Sequence, residues 1–239
     1  MRTLRIQFAP LPLLECQKLW WLWKNRAFTV VEEQPDIVFH WDYINTHFQG
    51  LHHDYGCKEV NIKCLDVSKT RINELCKEIY GYGSEALNGW AVEKNDLMNG
   101  IKDIRLVHLE ENERREGYFY QKLLFFPKQD KVFEIRLVVM NGRPVYKFMK
   151  QKQVNLGNIC GKVKAYSIMP YHEDTRIDTF CQKIGLDYGE LDMMNFDGLD
   201  YIIDVNPTPG DTAFVNMQED VALEFCYDYL RLFKENYHA

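Results

Sequence analysis

Oxygen-bearing side chains are concentrated in the segment from Gly185 to Asp211, which reads GLDYGELDMMNFDGLDYIIDVNPTPGD. Asp204 and Asn206 are two residues apart, so a strand would project both from one face. Asp192 precedes NFDG, a glycine-containing turn, and its own run can fold back antiparallel beside them. Two carboxylates and an amide carbonyl are ligands that suit Mg²⁺, which fills its remaining positions with phosphate oxygens and water. The spacing therefore predicts a magnesium site and nucleotide chemistry.

A structural role is the alternative interpretation of the same residues. Asp and Asn are common at strand ends, and the Asn-Pro-Thr-Pro sequence at 206–209 can form a rigid exit from a strand. The DxN spacing alone favours that role, because short motifs often match by chance. The upstream Asp192, the turn and the downstream Pro-Gly together favour the metal site.

The composition predicts a folded globular protein without a nucleic-acid partner. The chain has 239 residues, enough for one large domain or two lobes, and 46% of them are hydrophobic. The chain has a net charge of −6, so it lacks the positive electrostatic field that nucleic-acid binders usually have. Local basic pockets remain compatible with this balance, because lysines and arginines are scattered along the chain.

The cysteines and the N-terminal segment predict a soluble cytoplasmic protein. Seven cysteines lie far apart without a CxxC motif, which favours reduced thiols over a disulfide framework. The apolar run near the N-terminus is interrupted by Glu15 and Lys18, so we expect no signal peptide. No stretch approaches the roughly 20 apolar residues of a membrane span.

The first third of the chain predicts a short α/β region followed by an amphipathic helix. Strands are expected at 4–10, 36–41 and 60–67, with a helix at 16–25 between the first two. Ser68 is a suitable N-cap for the next helix, whose first turn contains Lys69. Glycines at 81 and 83 predict its end.

The remainder predicts a succession of antiparallel strands and two more helices. The strands are expected within 89–95, 101–111, 117–126, 131–140 and 142–151, with NGRP at 141–144 as a hairpin turn. Helices are expected at 174–184 and 220–237. The fold class is therefore α+β, with two lobes and a hinge at 121–124.

Several motifs occur in an order that resembles the ATP-grasp superfamily, from about Asn61 to about Phe214. They are Lys69 near a helix start, Lys94 in a strand, the apolar hinge at 120–124, EIR at 134–136, and Asp192 with DVNPTPG. The resemblance implies a two-lobed ATP-grasp fold with antiparallel sheets that hold ATP between them. It also implies a truncated N-terminal α/β region at 1–60, an N-lobe at 61–122, and a C-lobe at 123–239 that carries the metal site.

The resemblance implies that Lys69 and Lys94 bind nucleotide phosphates, a role for which an ammonium is a suitable point charge. Backbone groups of the hinge, formed by Gln121, Lys122, Leu123 and Leu124, would bind the adenine edge. Either lysine alone would more often be a solvated surface residue, and YFYQKLLFF is equally compatible with a buried strand.

The resemblance also implies that Arg136 contacts the transferring phosphoryl group or an acyl phosphate, where a guanidinium complements negative charge. An alternating strand could instead pair this arginine with a surface carboxylate. Asp192, Asp204 and Asn206 match the magnesium ligands of the superfamily. The implied cofactors are therefore ATP and Mg²⁺.

Three functions remain open at this point. The leading one is a ligase that joins a carboxylate to an amine or similar nucleophile through an acyl phosphate. A kinase of a small molecule or sugar is favoured by Asp204, since amide-forming members most often have Glu there. A non-catalytic nucleotide sensor or remodelled transferase is favoured by the short N-terminal region and by the loop after Lys94, which has only Gly100 for phosphate binding.

The substrate class follows from a narrower resemblance. GLDYGELD and DVNPTP are similar to little-characterised ATP-grasp-like proteins, some of them associated with cell-surface polysaccharide genes. This implies a small-molecule or glycan substrate.

Overall fold

The computed structural model describes residues 4–10, 28–31, 33–41, 56–97, 104–126, 129–153, 163–169 and 174–207. The helices predicted at 16–25 and 220–237 lie outside these residues. Within them the chain forms two helices and twelve strands arranged in three sheets. Two of the sheets are antiparallel, which confirms the α+β class. No helix in this part of the chain is long and apolar enough to cross a bilayer.

The N-terminal sheet is parallel, as expected for an α/β region. Its strands are β1 (Leu4–Pro10), β2 (Phe28–Val30), β3 (Ile37–Trp41) and β4 (Lys58–Val60), in the order β2-β1-β3-β4. The prediction of a strand over 60–67 is wrong, because β4 ends at Val60. Asn61 has a positive φ of 65°, and its carbonyl accepts a hydrogen bond from the Cys64 amide, so the chain turns there.

Helix α1 (Lys69–Tyr80) begins and ends as its sequence predicts. The Ser68 hydroxyl accepts a hydrogen bond from the Arg71 amide at 3.1 Å, which satisfies one of the free N–H groups of the first turn. Gly81 ends the helix in the left-handed region at φ 78°. Lys69 is therefore the first helical residue, directly after the cap.

A three-stranded antiparallel sheet follows α1. Its strands are β5 (Trp90–Asn95), β6 (Arg105–His108) and β7 (Tyr118–Lys122), in the order β6-β5-β7. Alternation along β5 sends Glu93 and Lys94 to opposite faces. The buried Glu93 carboxylate accepts hydrogen bonds from Arg105 and from the Tyr120 hydroxyl, whereas Lys94 contacts Gln121. Lys94 and Gln121 therefore share one face of this sheet.

The largest sheet has five antiparallel strands in the order β10-β9-β8-β11-β12. They are β8 (Lys131–Met140), β9 (Arg143–Gln153), β10 (Val163–Met169), β11 (Tyr188–Phe196) and β12 (Leu199–Asn206), and helix α2 (Thr175–Ile184) precedes β11. Asn141 and Gly142 both have positive φ in the turn between β8 and β9, which confirms the hairpin predicted at NGRP.

One face of the five-stranded sheet is covered by both helices. Ile72 and Leu75 of α1 and Phe180 of α2 are buried in one core with Leu191 and Ile202. The helix that carries Lys69 is thus packed on the sheet that carries the predicted metal hairpin. The domain limits at residues 60 and 122 stay predictions.

Two glycines with the same φ should differ sharply in their tolerance of a side chain. Gly185 and Gly198 both have φ 77°, but a Cβ on Gly185 would lie 2.5 Å from the Lys63 carbonyl, whereas no described atom lies within 4 Å at Gly198. We expect Gly198→Ala to lose roughly 1–2 kcal/mol of unfolding free energy, the usual cost of the left-handed conformation. Gly185→Ala should lose roughly 2–5 kcal/mol, since overpacking adds to that cost. Urea unfolding of the two variants measures the difference, and equal losses would contradict the packing of Gly185 on Lys63.

Candidate functional site

The hairpin predicted around NFDG is present, and it brings the predicted metal ligands together. Strands β11 and β12 pair antiparallel, with Asp192 opposite Asp204 and Glu190 opposite Asn206. Asp197 and Gly198 both have positive φ, the geometry of a tight hairpin turn with the right-handed twist of the strands. Asp192 and Asp204 therefore lie on the same face of the sheet, because directly opposed residues do so.

A β-bulge in β12 sets this pairing. Near the turn Met193 pairs with Ile202, whereas one residue further Asp192 pairs with Asp204, so Ile203 is the additional residue. Ile202 lies in the core beneath the helices. Ile203 instead packs with Leu124 in a second apolar cluster, on the opposite face of the sheet, which also carries Asp192. The bulge was not predicted from the sequence.

Arg136 lies opposite Asp192 on β8 and binds two carboxylates, those of Asp192 and Glu190. Its Nε and Nη2 donate to the two oxygens of Asp192 at 2.5 and 2.8 Å, and Nη1 donates to Glu190 at 2.6 Å. Burial alone would raise the pKa of Asp192, but Arg136, with Lys150 and Lys152, outweighs it and holds that pKa well below its usual range. Burial raises the pKa of Glu190, and Arg136 opposes this shift.

Four further charged residues on this face were not singled out from the sequence. Glu134 accepts hydrogen bonds from Lys150 at 2.7 Å and from Lys152, and Lys150 Nζ lies 3.6 Å from Asp192 Oδ1. Glu190 is the fourth. Alternation in EIR and in KQK would have placed Glu134 with Arg136, and Lys150 with Lys152, on one face each.

Lys69 reaches Asp204 from the start of α1. Its Nζ lies 3.4 Å from Asp204 Oδ1, and the lysine is 5% exposed. This oxygen is itself buried and makes no hydrogen bond to any residue that the structure describes. A buried carboxylate oxygen without a hydrogen bond is unusual, and a bound ion or water can supply the missing contact.

Lys94, on the three-stranded sheet, is close enough to Asp204 to be affected by its charge. Its Nζ donates to Gln121 Oε1 at 2.7 Å. Burial lowers the pKa of Lys94, the nearby Asp204 opposes that shift, and Lys69 adds to it. Lys69, Lys94 and Asp204 therefore lie in one electrostatic environment, although they come from three separate elements.

The predicted hinge lies beside this group. Gln121 and Leu124 are buried, and Leu123 is partly buried against the apolar cluster that contains Leu124 and Tyr201. Gln121 and Lys122 both lie in β7, where they pair with Val92 and Ala91 of β5. The Lys122 amide donates to the Ser84 carbonyl at 2.7 Å, and its Nζ donates to the Gly83 carbonyl at 2.9 Å.

The oxygen donors of the hairpin fit a magnesium ion. Asp204 has the buried oxygen without a hydrogen bond, and Asn206 lies two residues further along the same strand. Asp192 is shared with Arg136, but each carboxylate oxygen has a second lone pair. The described residues contain no group of three or more His, Cys, Asp and Glu side chains that could hold a metal ion.

No protein-family model matches the chain, and no curated protein matches it. The three-stranded and five-stranded antiparallel sheets nevertheless form an ATP-grasp fold, which the chain shares with solved structures. It is similar to the ATP-grasp ligase PsnB complexed with a phosphomimetic variant of a minimal precursor, Mg and ADP, with 11% identity and a TM-score of 0.63 over 98% of this chain and 100% of that chain.

Two other ligases have the same fold. The D-alanine–D-alanine ligase from Bacillus anthracis complexed with ATP has 14% identity and a TM-score of 0.55, over 98% of this chain and 99% of that chain. D-cycloserine synthetase DcsG has 12% identity and a TM-score of 0.57, over 96% of this chain and 100% of that chain. At such identities the likeness establishes the fold, and the expected ATP-grasp architecture is confirmed.

Proposed function

We propose that this protein is an ATP- and Mg²⁺-dependent ligase that activates a carboxylate as an acyl phosphate. The observation that carries the proposal is the buried Asp204 oxygen, which has no hydrogen bond within the described residues and lies in the same environment as Lys69 and Lys94. Solved proteins with this fold include ligases in complex with ATP, or with ADP and Mg. Function still depends on the site, so the residues must support each step.

The nucleotide is proposed to lie between the two antiparallel sheets. Lys69 and Lys94 supply positive charge for its phosphates. The hinge at 121–124 and the apolar cluster that includes Tyr201 and Ile203 receive the adenine. Within the hinge, Lys122 has a backbone amide that is already bonded, so adenine recognition depends on the other hinge groups.

Asp192, Asp204 and Asn206 are proposed to hold Mg²⁺, which would neutralise phosphate charge and orient the γ-phosphoryl group. Arg136 fixes the Asp192 side chain in that set through two parallel hydrogen bonds. Its Nη1 is committed to Glu190. Of the five N–H donors of a guanidinium, about two then remain for an acyl phosphate.

The proposed reaction has two balanced steps. A substrate carboxylate oxygen attacks the γ-phosphorus of ATP, and ADP leaves. The nitrogen of an amine then attacks the carbonyl carbon of the acyl phosphate, and inorganic phosphate leaves with the proton that the nitrogen loses. We propose a small molecule or glycan as the substrate, on the sequence resemblance alone, and the cytoplasm as the location, from the dispersed cysteines and the interrupted apolar run near the N-terminus.

Hydroxylamine trapping tests the ligase proposal. Hydroxylamine intercepts an acyl phosphate, so the protein incubated with ATP, Mg²⁺ and a panel of carboxylates should form a hydroxamate and release ADP and phosphate. Heat-denatured protein and reactions without Mg²⁺ are the controls. Failure of ATP or ADP to bind in calorimetry with Mg²⁺ present would remove both the ligase and a kinase from consideration.

A kinase is the second candidate, and Asp204 favours it. Ligases of this superfamily most often have Glu at the position that Asp204 matches. A kinase would consume ATP and transfer the phosphoryl group to a hydroxyl, and its stable product would not react with hydroxylamine. Nucleotide binding without any turnover would instead favour a sensor or a remodelled transferase.

A further inference from the structure

A buried ammonium group already faces the carboxylate on which the proposed metal site depends. Lys69 Nζ lies 3.4 Å from Asp204 Oδ1, with the lysine 5% and the aspartate 28% exposed. Like charges repel strongly in such partly buried surroundings. A divalent cation that bound Asp204 would therefore meet the ammonium at close range.

The backbone of Lys69 is held in place, so only its side chain can respond. Ser68 caps α1, the Lys69 amide donates to the Asp96 carbonyl at 3.1 Å, and the Thr70 amide donates to Asp96 Oδ1 at 2.8 Å. The apolar side of α1 is packed into the core of the five-stranded sheet. A lysine side chain has enough rotatable bonds to move its ammonium away without any movement of the helix.

Lys94 does not have this role. Its ammonium donates to Gln121 at 2.7 Å within the three-stranded sheet, and Asp204 acts on it only through the electrostatic field. Lys69 is thus the residue that neutralises Asp204, and Lys94 adds positive potential to the same space.

We propose that Lys69 is an exchangeable counter-ion of Asp204. Without nucleotide, its ammonium pairs with the carboxylate and excludes a free divalent cation. When a nucleotide arrives with its cation, the ammonium turns to a phosphate and the cation takes Asp204. Metal and nucleotide therefore bind with positive coupling, and the metal alone binds weakly. This inference rests on the proposed function, since it requires a nucleotide phosphate as the second partner of Lys69.

Calorimetric titration of Mn²⁺ into the nucleotide-free protein tests the inference. Lys69→Met and Lys69→Gln should both bind Mn²⁺ at least about fivefold more tightly than wild type, the lower end of common coupling between sites. Lys77→Met is the matched control, because it removes the same charge from an exposed position of α1, and its Mn²⁺ affinity should be unchanged. Adding Asp204→Asn to Lys69→Met should abolish the gained affinity.

The outcomes separate this inference from the proposed function. Equal or weaker Mn²⁺ binding in both Lys69 variants would overturn the counter-ion role, even if wild type binds ADP with Mn²⁺. Tighter Mn²⁺ binding in the variants supports an ammonium that excludes the cation. If wild type then bound no nucleotide, the proposed function would fail, and with it the coupling part of the inference.

Discussion

Arg136→Met is expected to lose about 3–5 kcal/mol of unfolding free energy, the usual cost of removing one partner from a buried ion pair. The reason is that Asp192 and Glu190 would lose the guanidinium that pairs with both, and a buried carboxylate without its partner is costly whether it stays charged or takes up a proton. Guanidinium chloride unfolding, followed by circular dichroism, measures the loss. Arg136→Lys should recover only part of the stability, because an ammonium cannot make the two parallel hydrogen bonds of the fork.

A surface pair of the same geometry provides the control. Arg176 also makes two side-chain hydrogen bonds to one carboxylate, that of Asp174, but the arginine is 59% exposed. Arg176→Met should leave the unfolding free energy nearly unchanged, since exposed pairs contribute little. Similar losses at Arg136 and Arg176 would show that burial does not distinguish the two pairs.

Asp204→Asn is expected to reduce Mg²⁺-dependent ADP binding and ATP turnover by at least about 100-fold. The substitution keeps the shape of the side chain but removes the charge that we propose to bind the ion. It also leaves Lys69 beside a neutral amide. Calorimetry with ADP and Mg²⁺, and steady-state ATP consumption, measure the two effects.

Asp200→Asn is the matched control for this change. Asp200 lies on the same strand, is exposed, and accepts a hydrogen bond from Asn195 at 2.7 Å. Its conversion to Asn should change binding and turnover by less than about twofold, within the range typical of surface substitutions. Full activity in Asp204→Asn would exclude Asp204 from the site.

The elements that sequence predicts best are those with local boundary residues. Ser68 and Gly81 bound α1, NFDG closes the β11–β12 hairpin, and NGRP closes the β8–β9 hairpin. Turn and cap preferences act over a few residues, so they can be read without knowledge of the tertiary structure. The turn alone would have paired Asp192 with Ile203, and it is the unpredicted bulge in β12 that places Asp192 opposite Asp204.

What the sequence does not predict depends on contacts between distant strands. The pairing of Arg136 with Asp192 requires β8 to lie beside β11, fifty-six residues further along the chain. Glu134 and Lys150 meet only because β8 and β9 have one particular register. The early end of β4 depends on the positive φ of Asn61, whose side chain bonds to the backbone of Tyr188. Residues of this kind have no local pattern that distinguishes them.

The bulge at Ile203 gives β12 one residue more than the strand opposite it, and this residue places an apolar side chain next to the proposed metal ligand Asp204. In a regular strand without a bulge, neighbouring residues point to opposite faces of the sheet and lie about 3.3 Å apart along the chain. Here Ile203 joins the apolar cluster on the same side as Asp204. Deletion of Ile203 would keep Asp192 opposite Asp204, but it would remove the apolar side chain that precedes Asp204. We therefore expect insertions and deletions in this hairpin, as well as substitutions, to change the surroundings of Asp204.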